Sequence, residues 1–179
     1  MEIQARRGQS RAGFTLLELM ITLAVVGVLA AIAIPLLTSY QLRSKSAEAK
    51  TNLAAIRVLE ESYYSEHQMY RSANAEPAAI PGTVAVAFDD VGSDFGPLGF
   101  MPEGQVYFSY GIAVSDDGSG YTADAGADID GDGFIQYWGY ANPDNSGTLV
   151  AGKVGCDVTA GIQPNSVGPC AASFGQSIF

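Results

Sequence analysis

The chain has 179 residues, 47% of them hydrophobic, and a formal net charge of −10. That length accommodates one modest globular domain and one long additional helix. Past Ser72 the only basic side chain is Lys153, against thirteen acidic ones, so direct nucleic-acid binding is not expected of a surface that repels phosphate backbones.

The chain opens on a short leader, residues 1–13, which carries Arg6, Arg7 and Arg11 and ends on Gly13. Phe14 to Leu37 follows, 24 residues whose only formal charge is Glu18. As a helix this stretch spans about 36 Å, enough to cross a hydrocarbon core of about 30 Å. The clustered arginines hold the leader end on the cytoplasmic side. An ionisable group inside an apolar span is costly, so Glu18 reads as functional and calls for a partner. Two plainer readings stand beside this one. A secretory signal would use Ala31-Ile32-Ala33 as its cleavage site, but the apolar stretch before it is too long. A single-pass anchor explains the length and leaves Glu18 beside Gly13-Phe14 without a purpose.

Gly13-Phe14-Thr15-Leu16-Leu17-Glu18 closely resembles the class III signal of type IV prepilins and of type II secretion pseudopilins. The resemblance implies that a prepilin peptidase cuts after Gly13 and methylates the new terminus at Phe14. It also implies that Glu18 meets the N-terminal amine of a neighbouring subunit as a filament assembles. A buried carboxylate is tolerable when a buried ammonium faces it and costly otherwise. Cleavage would leave 166 residues at a charge of −12, because three arginines and one glutamate depart. Pro35 removes a helical hydrogen bond and kinks an isolated helix, although membrane helices tolerate Gly and Pro. The resemblance gives Gly27 to Pro35 a sharper meaning, a segment that loses helicity in the assembled filament.

Thr38 to Glu66 contains neither Pro nor Gly. Ala49, Leu53, Ile56, Leu59 and Tyr63 recur at helical spacing as one apolar stripe, and Arg57 is within reach of Glu60 or Glu61 one turn away. With no breaker between this amphipathic half (38–66) and the filament-core half (14–37), one helix of roughly 52 residues, about 80 Å, is predicted. The segment SEAKTNLAAIRVLEESYYSEHQMY resembles the same region of delta-proteobacterial type IV pilins, of the type IVa-like kind. Residues 67–105, punctuated by Pro77, Pro81, Pro97 and Pro102, form a turn-rich connector with one short strand at Thr83–Phe88; in pilins this connector lies on the filament surface.

Strands are expected at Val106–Val114, Gly120–Ala125 and Phe134–Tyr140, with a fourth at Gly147–Gly152, all within a sheet region of residues 106–152. Short connections favour an antiparallel meander that lays its apolar face on the Ala49–Tyr63 stripe. The fold class is therefore α+β. The resemblance makes it the pilin fold, a long N-terminal helix packed by its second half on a small antiparallel sheet. Residues 153–179 hold both cysteines, Cys156 and Cys170. An exported chain would join them, closing a loop worth roughly 3 kcal/mol, and many type IV pilins close a C-terminal loop this way. Two free thiols are the other reading.

Asp128, Asp130 and Asp132 sit in the series D-x-D-x-D-G, the first half of an EF-hand calcium loop. The match then fails, because position 12 is Gly139 rather than a glutamate and strands flank the loop. A hairpin turn using Asp-Gly for positive φ is the alternative. No nucleophile–base pair, phosphate loop or dinucleotide fingerprint occurs; His67 reads as a solvated residue, and Tyr40, Tyr63, Tyr64 and Tyr70 as packing. No enzyme activity and no required cofactor are expected, calcium apart. The expected role is a structural subunit of a type IV pilus, held in the bacterial inner membrane and then polymerised into an extracellular filament for twitching motility, adhesion or aggregation. Its expected partners are its own copies, the prepilin peptidase and the inner-membrane assembly machinery. A secretion pseudopilin, a minor pilin and, more distantly, a membrane-tethered binding domain are the alternatives.

Overall fold

The computed structural model describes residues 13–171; the leader before Gly13, with Arg6, Arg7 and Arg11, and the end of the predicted 153–179 tail lie outside the described residues. Helix α1 covers Leu16–His67, 52 residues, and is unbroken through Gly27 and Pro35. Thr15 starts it. Its side-chain Oγ1 accepts from the Glu18 N–H at 3.2 Å, and its carbonyl accepts from Leu19 N–H at 3.2 Å, the arrangement of an N-cap. At the far end Gln68 turns to φ 59° and returns its N–H to Tyr64 O at 2.8 Å. A left-handed residue just past the last turn ends a helix in this way.

Two compact units divide the chain, one ending at Ser39 and the other starting at Tyr40. In the first, the large apolar side chains from Phe14 to Leu37 are exposed. Its hydroxyls bond their own backbone: Thr22 donates to Leu19 O and Thr38 to Pro35 O, both at 2.8 Å, and Ser39 to Leu36 O at 2.9 Å. Side chains satisfied this way can sit in an apolar medium without orphaned polar groups.

In the second unit, the rest of α1 packs on a five-stranded sheet. Strands β1 (Ala73–Glu76), β4 (Ser109–Val114), β5 (Tyr121–Ala127), β6 (Gln136–Asn142) and β7 (Gly168–Pro169) lie in that spatial order, all antiparallel. A separate ribbon pairs β2 (Val86–Ala87) with β3 (Gln105–Val106). Ala49, Leu53 and Ile56 of α1 are fully buried in one core with Tyr110, Ile112, Tyr121, Ala123 and Ala125. The central strand β5 reads Tyr-Thr-Ala-Asp-Ala-Gly-Ala and is buried along its whole length. Tyr121, Ala123, Ala125 and Ala127 join the α1 core. The alternate positions lie under the chain that follows β6: Thr122 Oγ1 donates to Val150 O at 2.6 Å. A strand covered on both faces favours small side chains, and four of its seven residues are Ala or Gly.

Several expectations change. The predicted strand Val106–Val114 is two, because Val106 pairs with Val86 in the ribbon and the main-sheet strand begins at Ser109. Gly147–Gly152 is not a strand; it crosses the outer face of β5, and the sheet's edge beyond β6 is β7 instead. The connector 67–105 supplies edge strand β1 and much of the core, since Tyr70, Ala73, Phe95, Leu98 and Phe100 are buried and Phe88 packs against the phenylalanines. Arg57 does not pair with its helical neighbours but lies over the Tyr140 ring, 5.2 Å from its centre. Tyr63, Tyr64 and Tyr70 pack as expected, whereas Tyr40 is 57% exposed.

Candidate functional site

Three places gather the chemistry of this chain. The first is the start of α1. Gly13, Phe14 and Thr15 precede the helix and Glu18 lies in its first turn, so the expected processing position and the carboxylate share one end. Phe14 is 76% exposed, and Leu16, Leu17, Leu19 and Met20 around it are exposed as well. A carboxylate in the first turn also faces the positive end of the helix dipole. The apolar surface continues through Leu37, and a helix of this length and composition is able to cross a membrane.

The second is the loop between β5 and β6. One carboxylate oxygen from each of Asp128, Asp130 and Asp132 lies within 4.8 Å of the others. Two oxygens on one calcium ion, each at about 2.3–2.6 Å, stand no farther apart than roughly 5 Å, so the spacing fits such an ion. Turn chemistry uses the same groups. Asp128 accepts from Gly131 N–H at 2.9 Å and Gly133 N–H at 3.2 Å, Asp130 from Asp132 N–H at 3.4 Å, and Asp132 from Phe134 N–H at 2.8 Å. Gly131 and Gly133 both have positive φ, 79° and 87°, as the hairpin reading requires. Partial burial raises the Asp130 carboxyl above its ordinary value, with the neighbouring aspartates adding to the effect.

The third is the C-terminal loop. Cys156 and Cys170 are joined, with Cα atoms 5.4 Å apart. Beside them is a residue that sequence reasoning passed over. Asp124, on β5, has no exposed surface. Its Oδ1 accepts from Lys153 N–H at 3.0 Å, and its Oδ2 from Val154, Gly155 and Cys156 N–H at 2.9, 2.9 and 3.0 Å. Burial raises this carboxyl, and the four N–H donors pull it back. In register with Asp124 stand Gly111 on β4 and Gly139 on β6. A Cβ at Gly111 would meet Lys153 Cβ at 2.9 Å, and one at Gly139 would meet Cys156 Sγ at 2.9 Å. The Gly–Asp–Gly row thus lets the disulfide loop lie directly on the sheet.

Two further carboxylates of α1 face the core, Glu48 half-buried and Glu60 buried. Glu48 accepts from Tyr107 N–H at 2.9 Å and Tyr110 O–H at 3.0 Å, and burial raises it. Glu60 is completely buried. Thr15 had a legible signal, since Thr15-x-x-Glu18 is the capping-box spacing. Glu60 had one in its place on the helical stripe, four residues after Ile56 and three before Tyr63, whereas nothing in the chain announces that the core will enclose Asp124.

Residues 8–34 match the family described as the prokaryotic N-terminal methylation motif. The chain is 55% identical over 58 residues to the type IV major pilin protein PilA of Myxococcus xanthus, covering 32% of this chain and 26% of that one. It is 42% identical over 83 residues to the type IV major fimbrial protein FimA of Dichelobacter nodosus, covering 45% and 47%. It is also 41% identical over 76 residues to the fimbrial protein EcpC of Eikenella corrodens, covering 42% and 49%. The matches thus span about a quarter to a half of the length of these curated relatives. No solved structure matches the chain. With the methylation motif over residues 8–34, pilins and fimbrial proteins matched over part of their length and a long helix packed on an antiparallel sheet, the chain is similar to type IV pilins.

Proposed function

We propose that this chain is the structural subunit of a type IV pilus, polymerising through Phe14–Leu37 into an extracellular filament that serves twitching motility, adhesion or aggregation. One observation carries the reading: a helix whose first 22 positions expose their apolar side chains, with a single carboxylate one turn from the processing position. Such a surface is stable only in lipid or against copies of itself. A prepilin peptidase of the inner membrane cuts between Gly13 and Phe14 and methylates Phe14. The inner-membrane assembly machinery then moves the subunit from the bilayer into the growing fibre. There the Phe14 amine of one copy neutralises Glu18 of the next, and the helix opens between Gly27 and Pro35 as it leaves the membrane. Within this reading the Asp128–Asp132 turn is the candidate calcium loop.

Mass spectrometry of the mature chain and imaging of sheared surface filaments test the proposal together. A methylated Phe14 at the N-terminus and loss of filaments in Glu18→Ala are expected. Filaments of normal number from Glu18→Ala, or from a chain with its leader intact, would overturn it.

A further inference from the structure

Glu60 falls within the apolar stripe of α1, four residues after Ile56, and is wholly enclosed. Its Oε2 accepts one hydrogen bond, from the Arg71 N–H at 3.0 Å, where the chain has just left α1 and heads for β1. Its Oε1 is buried with no partner, and so is the Tyr121 hydroxyl on β5. A carboxylate with one donor and no counter-ion in contact is poorly solvated, whereas the neutral acid is tolerable there and brings a donor of its own.

We propose that Glu60 is a proton-operated latch on the joint between α1 and β1: with the carboxyl neutral the joint is firmly closed, and ionisation loosens it.

The groups facing Glu60 support that assignment. On α1 itself, the neighbouring Glu61 carboxylate opposes a second negative charge. On the segment after the helix, the Arg71 N–H bond and, less strongly, the Arg71 charge favour ionisation, but the guanidinium is occupied elsewhere. Its Nε donates to Asp94 O at 3.4 Å, and the group lies 5.9 Å from the centre of the Tyr63 ring. Tyr70 directs its hydroxyl to Glu61 at 3.3 Å and receives a bond from Asn142 Nδ2 at 2.8 Å. Among the described residues, the titratable groups that the sheet brings near are phenols: Tyr121, and behind it Tyr140, over which Arg57 lies. Asp94, which holds Asn74 N–H at 3.0 Å, adds another negative charge near the joint. Burial is the largest influence and pushes the Glu60 carboxyl up to about 7.

The sign follows from linkage. The folded chain keeps this proton to a higher pH than the unfolded chain, whose carboxyl ionises near 4.5. The stabilisation is therefore complete below about 4.5 and lost as pH rises towards 7. The proton passes to solvent, and the charge left on Glu60, with no donor at Oε1, gains hydration only where the joint opens to water at the expense of the Arg71 bond.

The test uses the full chain in detergent micelles. Urea unfolding of wild type and of Glu60→Gln, which keeps a neutral side chain at every pH, is compared from pH 4 to pH 8. The wild-type unfolding constant is expected to rise relative to the variant by on the order of 100-fold across that window. Protection of the Arg71 amide, corrected for intrinsic exchange, is expected to fall over the same range. Parallel curves for the two proteins would overturn the proposal. If Glu60→Gln does not fold, carboxyl-carbon NMR of the wild type decides: a Glu60 midpoint near neutrality supports the latch, and one in the ordinary glutamate range removes it.

Discussion

Asp124 shows how much one residue can organise. Its carboxylate gathers four consecutive N–H groups of the Lys153–Cys156 segment, a concave array of donors of the kind that binds anions elsewhere. Asp124→Ala should cost roughly 3 kcal/mol, because buried donors lose their acceptor without gaining water. Asp124→Asn keeps one acceptor oxygen and should cost less. Urea unfolding of the two variants measures both, and equal stability in all three proteins would show the cluster to be incidental. At this scale the sequence was legible only where a residue's purpose is local. Cys156 and Cys170, which the structure joins, announce themselves by being the only pair, and Thr15 announces the helix start by its spacing to Glu18. Asp124 looks like any other surface acid, since its role depends on what folds over it, whereas Glu60 stands on the apolar stripe of α1.

Elements were legible in proportion to how far their own residues determine them. Helix α1 carries no Gly or Pro between Thr38 and Glu66 and a strict apolar stripe, and its predicted length of about 52 residues is the length found. Strands β4, β5 and β6 alternate and are flanked by Asp/Gly turns, so their existence and order could be read. Edge strands β1, reading Ala-Asn-Ala-Glu, and β7, reading Gly-Pro, have no strand propensity. They are strands because a neighbour offers them an unpaired edge. Thr-Leu-Val-Ala looks like a strand and is not one: its Val150 carbonyl accepts from Thr122 on β5 and Leu149 packs with the disulfide cluster instead. The β5–β6 loop is an element whose own hydrogen bonds already hold it. Millimolar calcium is expected to raise the melting temperature of the full chain, with Asp130→Asn cancelling the rise. A melting temperature indifferent to calcium would leave the three aspartates as turn formers alone.

For the whole molecule, the division at Ser39/Tyr40 separates two kinds of stability. The part from Tyr40 onwards encloses its own core and its own disulfide, and it carries most of the acidic charge. The part before it has apolar surface and nothing to bury it in. A chain starting at Tyr40 is therefore expected to be soluble without detergent, with circular dichroism and a cooperative melt like those of the full chain. Aggregation, or a broad non-cooperative melt, would show that the core depends on the preceding helix. The acidic bias and the apolar first third were plain from composition; how the head closes upon itself was not.

The C-terminal loop is fastened twice, and the two fastenings answer to different agents. A reductant severs Cys156 from Cys170 and leaves the Asp124 cradle intact. Protonating Asp124 weakens the cradle and leaves the sulfur bridge untouched. No single change of solvent addresses both, so the loop can wait for oxidation already in place and afterwards endure either stress alone.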